Sequence, residues 1–162
     1  MRTEPKRILK ITLLVLIVLN LAFIFIQSLI PPEESSKESG AVGDVIEEII
    51  PPETKPGEFI QLNLRKIAHF IEFATLGALV AAYLFVFMRR RIAIIMSFPA
   101  ALIVGLLDES VQLFSGRGAS VKDVWIDFSG FACASLFFYT VCLVISLIRK
   151  NVNKGCQKAT LE

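Results

Sequence analysis

The chain has 162 residues, of which 54% are hydrophobic, and its mean hydropathy of +0.65 is high for a soluble domain. Its net charge at pH 7 is only +2, and no nucleic-acid partner is expected. This composition argues against a separate soluble domain and favours an all-α integral membrane protein.

Four apolar runs follow one another along the chain, at 8–30, 67–88, 92–107 and 124–148. A helix needs about 20 apolar residues to cross a hydrocarbon core about 30 Å thick, and the first, second and fourth runs meet that length. The third run is shorter, but residues 108–114 can continue the same helix as a polar turn or two. We therefore predict one domain over residues 1–162, an antiparallel bundle of four transmembrane helices at about 8–30, 67–88, 92–114 and 121–148.

The segment between the first two predicted helices, 31–64, is acidic and rich in proline, and we expect it to form an outer loop. Within it, Val42, Val45, Ile46 and Ile49 recur at helical spacing. This pattern is typical of a short interfacial helix, whereas the composition of the flanks suits a flexible acidic spacer. Both interpretations remain open at this point.

The connection between the third and fourth helices carries recognisable end signals. Gly116 follows the third helix, as a left-handed C-terminal cap requires. Ser120 with Asp123 three residues on resembles a capping box at the start of the fourth helix. A tight turn is therefore predicted, and it would present Arg117 at the outer surface.

Basic residues are distributed unevenly between the connecting segments. The N-terminal tail, the turn at 89–91 and the C-terminal tail together carry a net charge of +9, whereas the rest of the chain carries −7. By the positive-inside rule, both termini and the arginine turn face the cytoplasm. We therefore predict a multi-pass protein of the cytoplasmic membrane whose acidic segment faces outward.

Polar side chains interrupt or flank the apolar runs near this outer side. Charge at membrane depth costs at least a few kcal/mol, so such groups usually face a protein interior or a watery cavity. Because the last three helices supply polar faces at one depth, we expect these side chains to converge on one site. The predicted site consists of His69, Glu72, Asp108, Glu109, Gln112, Arg117, Asp123 and Asp127.

Four kinds of site fit such a cluster. A divalent metal would suit a histidine with carboxylates. However, the basic residues of this region nearly balance its acidic residues, so an ion-pair network could form without metal; these basic residues are Arg65, Lys66, Arg117 and Lys122. No metal or other cofactor is therefore expected. His69 and Glu72 could form an acid–base pair, although no nucleophile motif accompanies them. A polar network could also merely hold the helices together. Finally, Arg117 could bind a phosphate or carboxylate of a ligand.

At these positions the chain resembles the VanZ-like family of membrane proteins. The resemblance covers roughly residues 8–148 and rests on three blocks in order: the segment 65–73 (RKIAHFIEF) with Leu76-Gly77, the segment 108–114 (DESVQLF), and Gly116-Arg117 with Asp123 and Gly130. Asp127 departs from the family pattern, in which asparagine is more common there. The resemblance implies an association with bacterial resistance to teicoplanin-type glycopeptides, without supplying a biochemical mechanism.

The sequence thus predicts a cell-envelope membrane protein with an outward-facing polar site. Its expected partners are membrane lipid and an amphiphile, either a lipoglycopeptide antibiotic or a lipid-linked cell-wall precursor. One alternative is an intramembrane enzyme that acts on a lipid-linked substrate through His69 and Glu72. Another is a structural subunit that only packs helices.

Overall fold

The computed structural model describes residues 4–116 and 118–159, and all the regular structure in that part of the chain is α-helical. The five helices are α1 (Glu4–Leu29), α2 (Pro32–Glu47), α3 (Lys55–Phe87), α4 (Arg90–Phe114) and α5 (Val121–Ala159). Of these, α1, α3, α4 and α5 are long and apolar enough to cross a membrane. The predicted all-α fold with four potential membrane spans is confirmed.

The acidic segment 31–64 is mostly helical, which corrects the expectation of a long loop. Helix α2 occupies its first half, where Pro32 at the first turn is followed by Glu33 and Glu34, residues that suit a helix N-terminus. Helix α3 begins at Lys55 rather than near 67, because Thr54 accepts a hydrogen bond from the Gly57 backbone N–H at 3.2 Å and so caps the start. Of the two interpretations of this segment, the helical one is therefore correct, and only 48–54 separate α2 from α3.

Helices α3 and α5 make the most extensive contact in the molecule. The contact contains two glycines, one from each helix. A Cβ atom at Gly77 would overlap the carbonyl oxygen of Phe131, and a Cβ atom at Gly130 would overlap that of Phe70. The two backbones therefore touch directly, as small residues permit between transmembrane helices. The Ser135 hydroxyl strengthens this contact by donating to the Gly77 carbonyl at 3.0 Å.

The buried apolar side chains form two clusters at different levels of the bundle. The larger cluster draws on all four long helices and comprises Ile24, Phe73, Leu76, Ala101 and Phe131. The smaller cluster contains Ala81, Ala93 and Tyr139, and the Tyr139 hydroxyl lies 2.9 Å from that of Ser97. The larger cluster adjoins the polar site described next, because Ile24, Phe73 and Phe131 each lie one helical turn from a residue of that site.

Candidate functional site

His69 of α3 lies between two buried aspartates from different helices. Its Nδ1 atom is 3.9 Å from an oxygen of Asp108 on α4 and 3.8 Å from an oxygen of Asp127 on α5. The aspartate side chains are 0% and 1% exposed, and that of His69 is 14% exposed. The predicted convergence of the last three long helices is therefore present at these three residues.

Asp108 is held by hydrogen-bond donors on both of its carboxylate oxygens. The hydroxyl of Ser28, near the end of α1, donates to Oδ1, and the amide of Gln112 donates to Oδ2 at 2.7 Å. Ser115 in turn donates to the Ser28 carbonyl at 2.9 Å. The first helix thus contributes to the site, which the sequence analysis missed, although Asn20, Gln27 and Ser28 are the few polar residues within residues 13–30.

Asp127 is buried without comparable support. Neither of its carboxylate oxygens has a hydrogen-bond partner among the residues that the structure describes. Its position follows from helix packing, because Asp127 lies one turn before Gly130, whose backbone touches Phe70, the residue next to His69. The close approach of α3 and α5 therefore sets the separation of His69 from Asp127.

Glu109 caps the start of α5. Its Oε2 atom accepts a hydrogen bond from the Ser120 backbone N–H at 2.7 Å. Ser120 is the N-terminal cap, as expected, and its hydroxyl accepts from Lys122 N–H at 3.3 Å. The carboxylate that completes the cap comes from α4, however, so the predicted capping box with Asp123 is wrong. The left-handed cap after α4 is confirmed, since Gly116 has a φ of 75°.

Two cavities adjoin His69. The first, of about 450 Å³, is polar and is lined by His69, Gln112, Asp123 and Asp127 together with Arg65 and Lys66. The second, of about 720 Å³, is an apolar groove between α2 and α3 that also reaches Glu72. Asp123 therefore joins the predicted site through the first cavity, whereas Glu72 lies on the groove side of α3. Arg117 lies outside the described residues.

Three side chains of the site are arranged as potential metal ligands. His69, Asp108 and Asp127 each offer one ligand atom, and these three atoms lie within 4.8 Å of one another. Both ion pairs among the described residues involve His69. Within that part of the chain, no lysine or arginine forms an ion pair with either aspartate. The arrangement can therefore hold a cation or a proton between its two acids.

A protein-family model described as VanZ/LLP1 matches residues 13–146, which is most of the chain. The chain belongs to the VanZ family. No curated protein and no solved structure matches it. The matched region includes two of the potential membrane spans completely and most of the first and the last, together with every residue of the site. The site therefore lies within the part of this VanZ-family protein that the family model covers.

Proposed function

We propose that this VanZ-family protein works in the cytoplasmic membrane at the cell envelope by binding an amphiphilic ligand from the outer side. The ligand class is a lipoglycopeptide antibiotic or a lipid-linked cell-wall precursor, and binding modulates access of the drug to the membrane or to the precursor. The observation that carries this proposal is that the polar cavity and the apolar groove share Arg65 and His69 in their walls.

The two adjoining spaces match the two parts of an amphiphile. Volumes of about 450 and 720 Å³ fall within the range of about 300–1,000 Å³ that is usual for small-molecule sites. Arg65 and Lys66 at the polar cavity suit a phosphate or carboxylate head group. The groove suits an acyl or polyprenyl chain, since its apolar wall is lined by Ile46, Ile49, Ile60, Ile67 and Ile71.

One observation favours a second candidate, an intramembrane enzyme that acts on a lipid-linked substrate. His69 lies against two carboxylates at the wall of the polar cavity, and a carboxylate beside an imidazole orients it for proton transfer. The acidic partner of His69 in this version is Glu72, one turn along α3, or one of the two aspartates.

The test is a drug-sensitivity panel on a deletion strain complemented with single-site variants. Arg65→Gln removes the cationic group shared by both spaces, so we expect it to lose tolerance of a lipoglycopeptide at unchanged membrane abundance. Arg91→Gln is the matched control, because Arg91 is also exposed but lines neither space, and it should keep full tolerance.

Other outcomes contradict the proposal. Full tolerance of Arg65→Gln at normal abundance would exclude recognition through this site. If loss of tolerance tracks loss of protein across all variants, the structural-subunit interpretation is correct. If purified protein converts a lipid-linked precursor and His69→Gln abolishes the product, the enzyme candidate is correct.

A further inference from the structure

We propose that His69, Asp108 and Asp127 form a binding site for a divalent transition-metal cation of the Zn²⁺ type at the wall of the polar cavity. The site joins three helices, since the ligands come from α3, α4 and α5. It is independent of which amphiphile the protein binds.

The distances suit a cation with a small adjustment. Zn²⁺ binds histidine nitrogen and carboxylate oxygen at about 2.0–2.2 Å, so ligand atoms of a tetrahedral site lie about 3.4 Å apart. The Nδ1 atom of His69 is 3.9 and 3.8 Å from the nearest oxygens of Asp108 and Asp127. A contraction of about half an ångström would bring His69 Nδ1 to the spacing of a zinc site from each aspartate oxygen. The three ligand atoms lie within 4.8 Å of one another, so the two aspartate oxygens need to approach each other by at most about 1.4 Å, which side-chain rotation can supply.

The environment of Asp127 indicates a bound ligand rather than a hydrogen-bond network formed by protein side chains alone. It is 1% exposed, lies against His69, and lines the polar cavity. Among the described residues no hydrogen-bond donor reaches either of its oxygens. A buried carboxylate without donors is costly, and metal coordination is one of the ways in which proteins compensate buried charge.

The charges of the described residues also favour a dication. The sequence-based expectation of no metal depended on compensating charge from Arg65, Lys66, Lys122 and Arg117. Arg65, Lys66 and Lys122 have exposed side chains, and no ion pair within the described residues joins any of them to Asp108 or Asp127. With both carboxylates ionised and the imidazole neutral, the three side chains carry −2, which one divalent cation would neutralise.

Asp108 has the outer support that metal ligands usually have. Ligating carboxylates are typically hydrogen-bonded by a second layer of residues that fixes their orientation. Ser28 and Gln112 donate to the two oxygens of Asp108 in this way. The imidazole ligand selects transition metals over Mg²⁺ and Ca²⁺, which prefer oxygen. The remaining coordination position would face the cavity, where water or an anionic oxygen can bind, as in open zinc sites.

The experiment is Zn²⁺ binding by the full chain in detergent, without a histidine tag. Cys133, Cys142 and Cys156 are replaced by serine so that thiols do not bind the metal. After removal of metal with a chelator, Zn²⁺ is titrated and the bound metal is measured by mass spectrometry of the washed protein. We expect one Zn²⁺ per chain, not displaced by excess Mg²⁺, and a rise in the unfolding temperature on binding.

Asp127→Asn should weaken Zn²⁺ binding by at least about tenfold and remove the Zn²⁺-dependent rise in unfolding temperature. Asp44→Asn is the matched control, because the same change is made at an exposed acid of α2 that lines neither space. His69→Gln is the second variant. If Asp127→Asn does not accumulate, the same Zn²⁺ titration is made with His69→Gln, and the same loss of binding is expected. Failure of the parent protein to bind Zn²⁺, or equal affinity in Asp127→Asn or His69→Gln, would overturn the proposal.

Discussion

Single side chains from distant parts of the chain complete the hydrogen bonds of this site. Ser28 donates to Asp108 across 80 positions of sequence, and Glu109 accepts from the backbone N–H of Ser120, the residue before α5. Both bonds involve buried or half-buried groups, for which loss of a partner costs more than the bond itself contributes. The sensitivity of the protein to substitution should therefore depend on which atoms are left without partners.

Glu109 provides a direct test at this scale. Glu109→Ala leaves the Ser120 N–H without its acceptor and should lower the free energy of unfolding by about 2–3 kcal/mol. Glu109→Gln keeps an oxygen acceptor in the same place and should lose only about 1 kcal/mol, the difference between a charged and a neutral acceptor. Denaturant unfolding of the two variants in detergent measures the difference. If Glu109→Ala is as stable as the parent, the cap contributes nothing.

Sequence reasoning found most of the site residues but not their partners. Intramembrane charge identified His69, Asp108 and Asp127 as members of one site, and the structure brings them together. It also assigned Asp123 to the cap of α5, where the structure has Glu109. The local sequence pattern could not predict which acid accepts from the Ser120 N–H. That choice depends on the rotation of α4 about its axis and on the conformation of the turn between α4 and α5.

At the scale of helices, the glycine contact between α3 and α5 is the feature that positions the site. We expect Gly77→Ala and Gly130→Ala each to destabilise the protein by about 1–3 kcal/mol, because the added methyl group would overlap backbone of the other helix. Gly130→Ala should in addition separate His69 from Asp127. Unfolding in detergent measures the first effect, and a structure of the variant measures the second.

Gly105→Ala is the control for this prediction. Gly105 is also buried in a long helix, but its added Cβ would lie 3.6 Å from the Cβ of Asp127, an ordinary contact. Alanine also favours a helix over glycine by about 1 kcal/mol, so this variant should be as stable as the parent or slightly more stable. If all three alanine variants behave alike, the close contact has no special role.

Helix α2 and the early start of α3 show what hydropathy alone leaves out. The run of apolar residues begins at 67, and the second span was therefore predicted to start there, whereas α3 starts at Lys55. The first turn of α3 is polar and is fixed by the Thr54 cap, which is a local signal independent of burial. Proline and acidic residues marked the start of α2 equally well, but the same composition also suits a disordered spacer.

For the molecule as a whole, charge distribution predicts the orientation. In a cysteine-free background, a cysteine at Ser36 should react with an impermeant reagent in intact cells, and one at Asn153 should react only after lysis. Both positions are exposed in the structure, so burial does not explain a difference. The reason is the partition of +9 against −7 between the two sets of segments. Labelling of Asn153 in intact cells would reverse the predicted orientation.

Hydropathy fixed the number of potential spans correctly, because a continuous apolar stretch is a strong signal that needs no tertiary information. Hydropathy could not predict which faces of the four long helices pack against one another. Helix α1 illustrates this, since much of its surface remains exposed while Ile24 and Ser28 on one side are fully buried. An almost uniformly apolar helix has little periodicity from which that side could be read.

The bond between Ser28 and Asp108 has a consequence for how the protein is made. Chains enter the membrane from the N-terminus as they leave the ribosome, so α1 is in place before α4 has been synthesised. Ser28 is therefore synthesised, and its helix inserted, before Asp108, which follows 80 residues later in the chain. A ribosome that stalls or a chain that is cut between the two therefore leaves α1 inserted but the site unassembled. The site is complete only after Asp127 of α5 has also been synthesised.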